Sequence, residues 1–229
     1  MSERSRRRIL ERIRSAVALG GPSYPEAEVR QSRDRRLSGA DRESLLNLFR
    51  ARQEELGGRV FVERQPERLL EQLAERVRRA GQGPVWVEEG LCVGGKAVAE
   101  ALREFGVDEV HVATAPEPGV HWKELLADAA VGITGADWLL AQTGSVVLIH
   151  SRQRPRSLSL LPAAHFVVAS AEILLPDLDA VIPALCQRFG EKDFSAATII
   201  TGSSRTADIE KILVRGVHGP QNLEVFLLA

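Results

Sequence analysis

The residues best suited to chemistry lie in TGSSRTADIEKILVRGVHGP, which runs from Thr201 to Pro220. Gly202 ends an apolar β-branched run, and Ser203, Ser204, Arg205 and Thr206 follow before Asp208 and Glu210. A strand, a Gly/Ser-rich exit and a helix start form a cup of backbone N–H groups for an anion, and the Arg205 guanidinium adds a fork matched to carboxylate or phosphate. The same residues also start a helix without any ligand. Thr206 then suits the N-cap, Asp208 and Glu210 the positive helix end, and Ile209 and Ile212 face a core. Arg205 is the residue this second reading explains least. His218, in a turn with Gly219 and Pro220, carries the side-chain type suited to proton exchange near neutrality and is a candidate acid–base group beside a purely structural role. Arg205 and His218 are the candidate catalytic residues.

Two other strand exits carry weaker signals. In ITGADWLLAQTGSVVLIH (133–150) Thr134 caps a short predicted helix bearing Asp137, and Thr143, Gly144 and Ser145 form a polar turn feeding a strand. Hydroxyls and backbone N–H groups there can bind an anionic substrate or an oxyanion, or simply satisfy the turn. Gln142 can hydrogen-bond but is neither nucleophile nor general base. In EEGLCVGGKAVAE (88–100) Gly94 and Gly95 allow close backbone approach and Lys96 falls in the first predicted helical turn. That is an anion site or a plain βα connection. It matches neither the P-loop nor GxGxxG, no GxSxG elbow is present, and the five histidines show no HExxH spacing.

These segments need a scaffold. Apolar positions at helical spacing predict helices over 40–57, 65–81, 95–106 and 121–132, alternating with strands over 58–63, 83–89 and 108–114. Beyond them, 134–142 reads as a short helical passage, strands follow near 145–150, 164–170, 196–201 and 222–228, and helices over 174–190 and 204–214. The alternation predicts an α/β fold with a mostly parallel sheet. Residues 5–19 read as an amphipathic helix, whose arginines mark a solvated face, and the stretch to residue 40 as a linker. The predicted organisation is an N-terminal helix and linker over 1–40 and one α/β domain over 41–229.

Composition narrows the partners. Thirty Lys and Arg against 31 Asp and Glu give a formal charge of -1, without the basic excess that nucleic acid or an anionic membrane surface demands. Cys92 and Cys186 are too few for a four-cysteine cluster, and are expected to be reduced and mostly buried. The N-terminus lacks an apolar core for secretion and no run of 18 apolar residues occurs, so a cytoplasmic location is expected.

The run SRTADIEKILVRGVHGP, with ITGADWLLAQTGSVVL and LSLLPAAHFVV upstream, resembles the LUD domain family of lactate utilisation protein C, or YkgG, type over about residues 41–229. The resemblance implies a three-layer Rossmann-like fold of the NagB/RpiA/CoA-transferase-like class. It also implies a part in oxidising L-lactate to pyruvate beside iron–sulfur partner proteins, with the clusters on those partners and no cofactor on this chain. The family pattern falls on Thr143, Gly144, Thr201, Gly202, Ser204, Arg205, Thr206, Asp208, Glu210, His218, Gly219 and Pro220. The resemblance implies an acidic residue before TG, where this chain has Gln142. A stand-alone enzyme or binding protein for a nucleotide, folate or phosphorylated metabolite is the alternative, with a small carboxylate or phosphorylated ligand implied in either case.

Overall fold

The computed structural model describes residues 11–12, 14–15, 37, 39–114, 120–151, 153–189, 195–207, 213–215 and 219–229. The chain divides into two units, Met1–Arg36 and Leu37–Ala229. In the first, residues 11–12 and 14–15 are helical, and the Ser15 hydroxyl donates to the Glu11 carbonyl at 2.9 Å.

In chain order the second unit contains α1 (Arg42–Glu55), β1 (Arg59–Glu63), α2 (Pro66–Ala80), β2 (Val85–Glu88), β3 (Cys92–Val93), β4 (Lys96–Ala97), α3 (Val98–Glu104), β5 (Val110–Ala113), α4 (Trp122–Leu125), β6 (Val131–Thr134), β7 (Trp138–Leu140), β8 (Ser145–His150), β9 (Ala164–Ser170), β10 (Leu174–Leu175), α5 (Val181–Phe189), β11 (Ala196–Ile200), β12 (Arg205–Ala207), β13 (Leu213–Arg215) and β14 (Asn222–Leu228). Helix starts follow local chemistry. Asp41 accepts the Ser44 N–H at 2.8 Å to cap α1, and Pro66 opens α2, where its missing N–H has no intrahelical role. Leu69, Leu70, Leu73, Ala74 and Val77 then form the buried stripe of α2.

Among the described residues six strands form one sheet in the order β1-β14-β9-β6-β2-β5, and every neighbouring pair is parallel. Both faces are covered, which is why its strands read as near-continuous apolar runs. Phe166, Val168 and Phe226 face α2 and α3, whereas Val167, Val225 and Leu227 face α1 and a second sheet. That second sheet, ordered β10-β7-β8-β11, is mixed: β10 runs parallel to β7, and the other pairs are antiparallel. Its β8 is buried on both sides, with Val146 and Leu148 against the main sheet's layer and Val147 and Ile149 against Val181 of α5. The α/β class, the mostly parallel central sheet and the Rossmann-like layering match expectation. The second sheet adds a layer that periodicity did not indicate.

Several local expectations are overturned. The segment predicted as a helix from Ser204 onward instead holds β12 and β13, paired antiparallel with Thr206 opposite Val214. Thr206 is therefore a strand residue and not an N-cap; tertiary context outweighs a weak helical period. Residues 134–142 form the end of β6, then β7 and a turn, because Trp138 and Leu140 are buried against α5 as one face of a sheet strand. The predicted helix over 121–132 is α4 followed by β6, whose four residues are all buried at the sheet centre. Cys92 and Cys186 are exposed, on a surface hairpin and on the outer side of α5. Among the described residues no helix is long and apolar enough to cross a membrane.

Candidate functional site

The turn after β11 and the approach to β14 come together. The Ser204 N–H donates to the Pro220 carbonyl at 3.0 Å, and a Cβ on Gly219 would lie 3.2 Å from that of Ser204, so glycine permits the approach. Gly202 adopts φ 78°, and a Cβ there would stand 2.8 Å from Leu56 Cβ in the turn after α1. These residues line a cavity of about 210 Å³ with Ser203, Thr198 of β11 and His165 of β9. Ser203 and His165 are 7% and 1% exposed.

His165 occupies the second position of β9, opposite Gly132 of β6. Its Nε2 lies 2.9 Å from the Thr134 hydroxyl, which in turn donates to the Gly135 carbonyl at 2.8 Å. Nε2 is thus partnered within the protein, in whichever sense the hydroxyl proton turns. Nδ1 is buried and without a partner among the described residues, as is the Ser203 hydroxyl. Burial, with a smaller contribution from the charge of nearby His150, pushes the His165 pKa down to about 3, so the ring is neutral at neutral pH. His150 is a second buried imidazole; its Nε2 lies 2.8 Å from the hydroxyl of Thr198, which lines the cavity. Burial lowers its pKa too.

The polar turn at 143–145 joins the same region. The Ser145 hydroxyl lies 2.7 Å from that of Thr143 and 2.8 Å from that of Thr201, because antiparallel pairing of β8 with β11 sets their ends side by side. Gly144 adopts φ 64°, and its carbonyl accepts from the buried Gln53 side chain of α1. Thr143, Gly144 and Ser145 thus buttress the turn that carries Gly202, Ser203 and Ser204.

The third predicted stretch lies elsewhere. Gly94 and Gly95 make the tip of the β3–β4 hairpin, where Gly94 packs against Pro66. Lys96 sits on β4 and pairs with Glu104 of α3. It is therefore on a strand and not in a helix's first turn. Arg205 and Thr206 lie on β12, but their side chains, together with Asp208 and His218, fall outside the described residues. Sequence reasoning missed His165, His150 and Thr198. The signal for His165 was a lone imidazole inside the apolar run AAHFVVA; only the fold shows which of its nitrogens is spent internally.

With that geometry in place, similarity to known proteins becomes informative. The LUD domain profile matches residues 46–228. The chain belongs to the LUD domain family. It is similar to lactate utilization protein C of Bacillus subtilis, 28% identical over 96% of this chain and 94% of the relative, and to that of Macrococcus caseolyticus, 30% identical over 86% and 82%. The uncharacterized protein YkgG of Escherichia coli is 37% identical over 52% of this chain and 55% of its own. A crystal structure of a DUF162 family protein from Deinococcus radiodurans shares the fold with a TM-score of 0.60 at 22% identity, over 82% of this chain and 98% of that one.

In this LUD domain the switch in strand order falls at β2, which has β5 on one side and β6 on the other. Ligands of open parallel sheets often lie at such points. Here the carboxyl ends of β2 and β6 are tied to the second sheet instead. Glu88 accepts the Gly135 N–H at 3.1 Å and Arg154 Nε at 2.7 Å; Arg154 also donates to Asp137 at 3.0 and 3.1 Å. Asp137, 2% exposed, accepts the Ile149 N–H at 2.7 Å and pairs with Arg188 at 3.1 Å. Burial works against the Arg154 charge, and the two carboxylates more than offset it, raising its pKa. This network of ion pairs clamps the carboxyl ends of β2 and β6 to the second sheet.

Proposed function

We propose that this LUD domain protein is one component of a system that oxidises L-lactate to pyruvate with iron–sulfur partner proteins. The observation that carries this reading is similarity along nearly the whole chain to proteins named lactate utilization protein C. The oxidation releases two electrons and two protons. A chain with two cysteines, set apart on β3 and α5, cannot supply a four-cysteine cluster, so the electron carriers are assigned to partners.

The cavity beside β9 is the proposed carboxylate site. Its volume of about 210 Å³ suits a molecule of a few heavy atoms. Ser203, Ser204 and backbone groups from Gly202 to Ser204 supply polar contacts, Arg205 follows directly in sequence as the proposed guanidinium partner, and His218 adjoins Gly219 as the proposed proton-exchanging group. Reconstitution of lactate-dependent electron transfer from purified components tests the reading. Omitting this chain should abolish the rate, and Arg205→Ala should depress it; an undiminished rate without the chain would refute it.

A second reading rests on a larger cleft of about 970 Å³ at the carboxyl ends of β1, β9 and β14, lined by Arg42, Arg64 and Arg68 together with Glu43, Glu63 and Glu172. Three guanidinium groups at strand ends suit a phosphorylated or nucleotide ligand. Thermal-shift measurements with ATP, folates, CoA and sugar phosphates test it, and the expected stabilisation should vanish in Arg64→Ala/Arg68→Ala protein.

A further inference from the structure

The inward line of α1 ends on a polar residue. Leu45, Phe49 and Gln53 recur at four-residue spacing as the buried residues of that helix, and Gln53 is 0% exposed. An apolar side chain would fill the position without losing hydration, whereas a buried amide is costly unless its hydrogen bonds are made. Gln53 makes one across 91 residues of sequence: its Nε2 donates to the Gly144 carbonyl. A carbonyl only accepts, so the nitrogen of the amide must face it. The Oε1 atom is buried and has no partner among the described residues. Stability alone does not account for an amide here.

Three glycines are shaped around this helix end. A Cβ on Gly58 would collide with Gln53 Oε1, one on Gly144 would lie 2.9 Å from the Gln53 backbone nitrogen, and one on Gly202 would lie 2.8 Å from Leu56 Cβ. The end of α1 therefore touches both turns that meet beside the cavity of about 210 Å³. The Ser145 hydroxyl, next in sequence to Gly144, bonds Thr201, next to Gly202. Packing limits how closely the turns approach, but a directional hydrogen bond fixes how the Gly144 peptide is turned.

We infer that Gln53 is a positioning residue for this cavity: its amide orients the Gly144 peptide, which through the Ser145–Thr201 bond sets the Gly202–Ser204 turn in the cavity wall. The effect on substrate affinity rests on the carboxylate site proposed above; the link between Gln53 and the turn does not.

The test compares full-length native protein with Gln53→Leu, Gln53→Glu and Asp137→Ala, the last losing stability outside the cavity lining. Amide hydrogen exchange follows the Ser204 N–H, which donates to the Pro220 carbonyl, and the reconstituted system gives kcat and KM for L-lactate. Gln53→Leu should speed Ser204 exchange and raise KM, each by about tenfold, the size of one lost hydrogen bond. Its kcat should hold, since the turn binds rather than reacts. Asp137→Ala should leave both readouts near native. A glutamate at 53 donates to Gly144 only when protonated, and burial raises a carboxyl's pKa. Relative to native protein at each pH, Gln53→Glu should therefore recover as pH falls from about 9 to about 6. Native-like Ser204 exchange in Gln53→Leu, an equal response in Asp137→Ala, or a Gln53→Glu protein indifferent to pH would each overturn the inference. So would an unchanged KM in Gln53→Leu where oxidation needs the chain. If Gln53→Leu does not fold, the Gln53→Glu series decides. If oxidation proceeds without the chain, the proposed function falls, and Ser204 exchange still decides the role of Gln53.

Discussion

The Thr134 hydroxyl stands 2.9 Å from His165 Nε2 and 2.8 Å from the Gly135 carbonyl, and so ties the buried imidazole to the end of β6. The two residues are adjacent through β6–β9 pairing, where Gly132 lies beside His165 and Thr134 beside Val167. A Cβ on Gly132 would lie 2.2 Å from the Leu158 carbonyl, so no side chain fits at that position.

Thr134→Val should leave the buried Nε2 of His165 without its hydrogen-bond partner. A loss of about 1–3 kcal/mol is expected for an orphaned buried polar atom. Urea unfolding should show a lower midpoint at unchanged slope, and Thr134→Ser should recover most of the difference.

Acid should destabilise the protein through its buried histidines. The folded-state pKa of His165 is about 3 against an ordinary 6.5, so below about pH 6.5 the unfolded chain binds a proton that the folded one refuses. Stability is thus full above that pH and falls as pH drops toward 3, by about 1.4 kcal/mol per unit for this residue. His150 shifts in the same direction and steepens the loss. His165→Gln should flatten the acid limb of the stability curve measured by chemical denaturation.

The clamp at the sheet switch should respond unequally to its members. Asp137→Ala leaves Arg154 with Glu88 as its remaining carboxylate partner among the described residues and the Ile149 N–H without its acceptor, and should destabilise by about 3 kcal/mol as the loss of a buried ion-pair partner. Arg188, whose side chain is 52% exposed, should change stability by less than about 1 kcal/mol on replacement by alanine. Equal midpoints for the two variants would contradict the geometry.

Two glycines separate backbone strain from collision. Gly95 has φ 82° and nothing within 4 Å of the point where a Cβ would stand, so Gly95→Ala should meet only left-handed strain of about 1 kcal/mol. Gly144, at φ 64°, would place its Cβ 2.8 Å from Arg52 Cβ and 2.9 Å from the Gln53 nitrogen. Gly144→Ala should therefore be clearly worse in a thermal melt, and should also disturb the Thr143–Ser145–Thr201 hydroxyl chain that supports the cavity turn.

Much of the architecture was legible because burial leaves a period in sequence. The stripe Leu69–Val77 spelled α2, and the apolar runs of β9 and β14 marked strands covered on both faces. The hairpin at 205–207 and 213–215 was not, since Ile209 and Ile212 fit a helical period and the sequence carries no mark of which strand will pair with which. The second sheet escaped for the same reason: β7 and β10 are three and two residues long, too short for any period to show.

The sequence by itself determined the order of helices and main-sheet strands, the charge balance, the shortage of cysteine ligands, and the polar turns at 143–145 and 202–204. Their residue types carry that information locally. Only the tertiary structure decided that those two turns meet, that GGK is a hairpin apart from them, and that His165 keeps one nitrogen unspent. Whether a polar atom is satisfied depends on partners such as Thr134, 31 residues away, and hydrogen bonds over that distance exist only once the strands have paired.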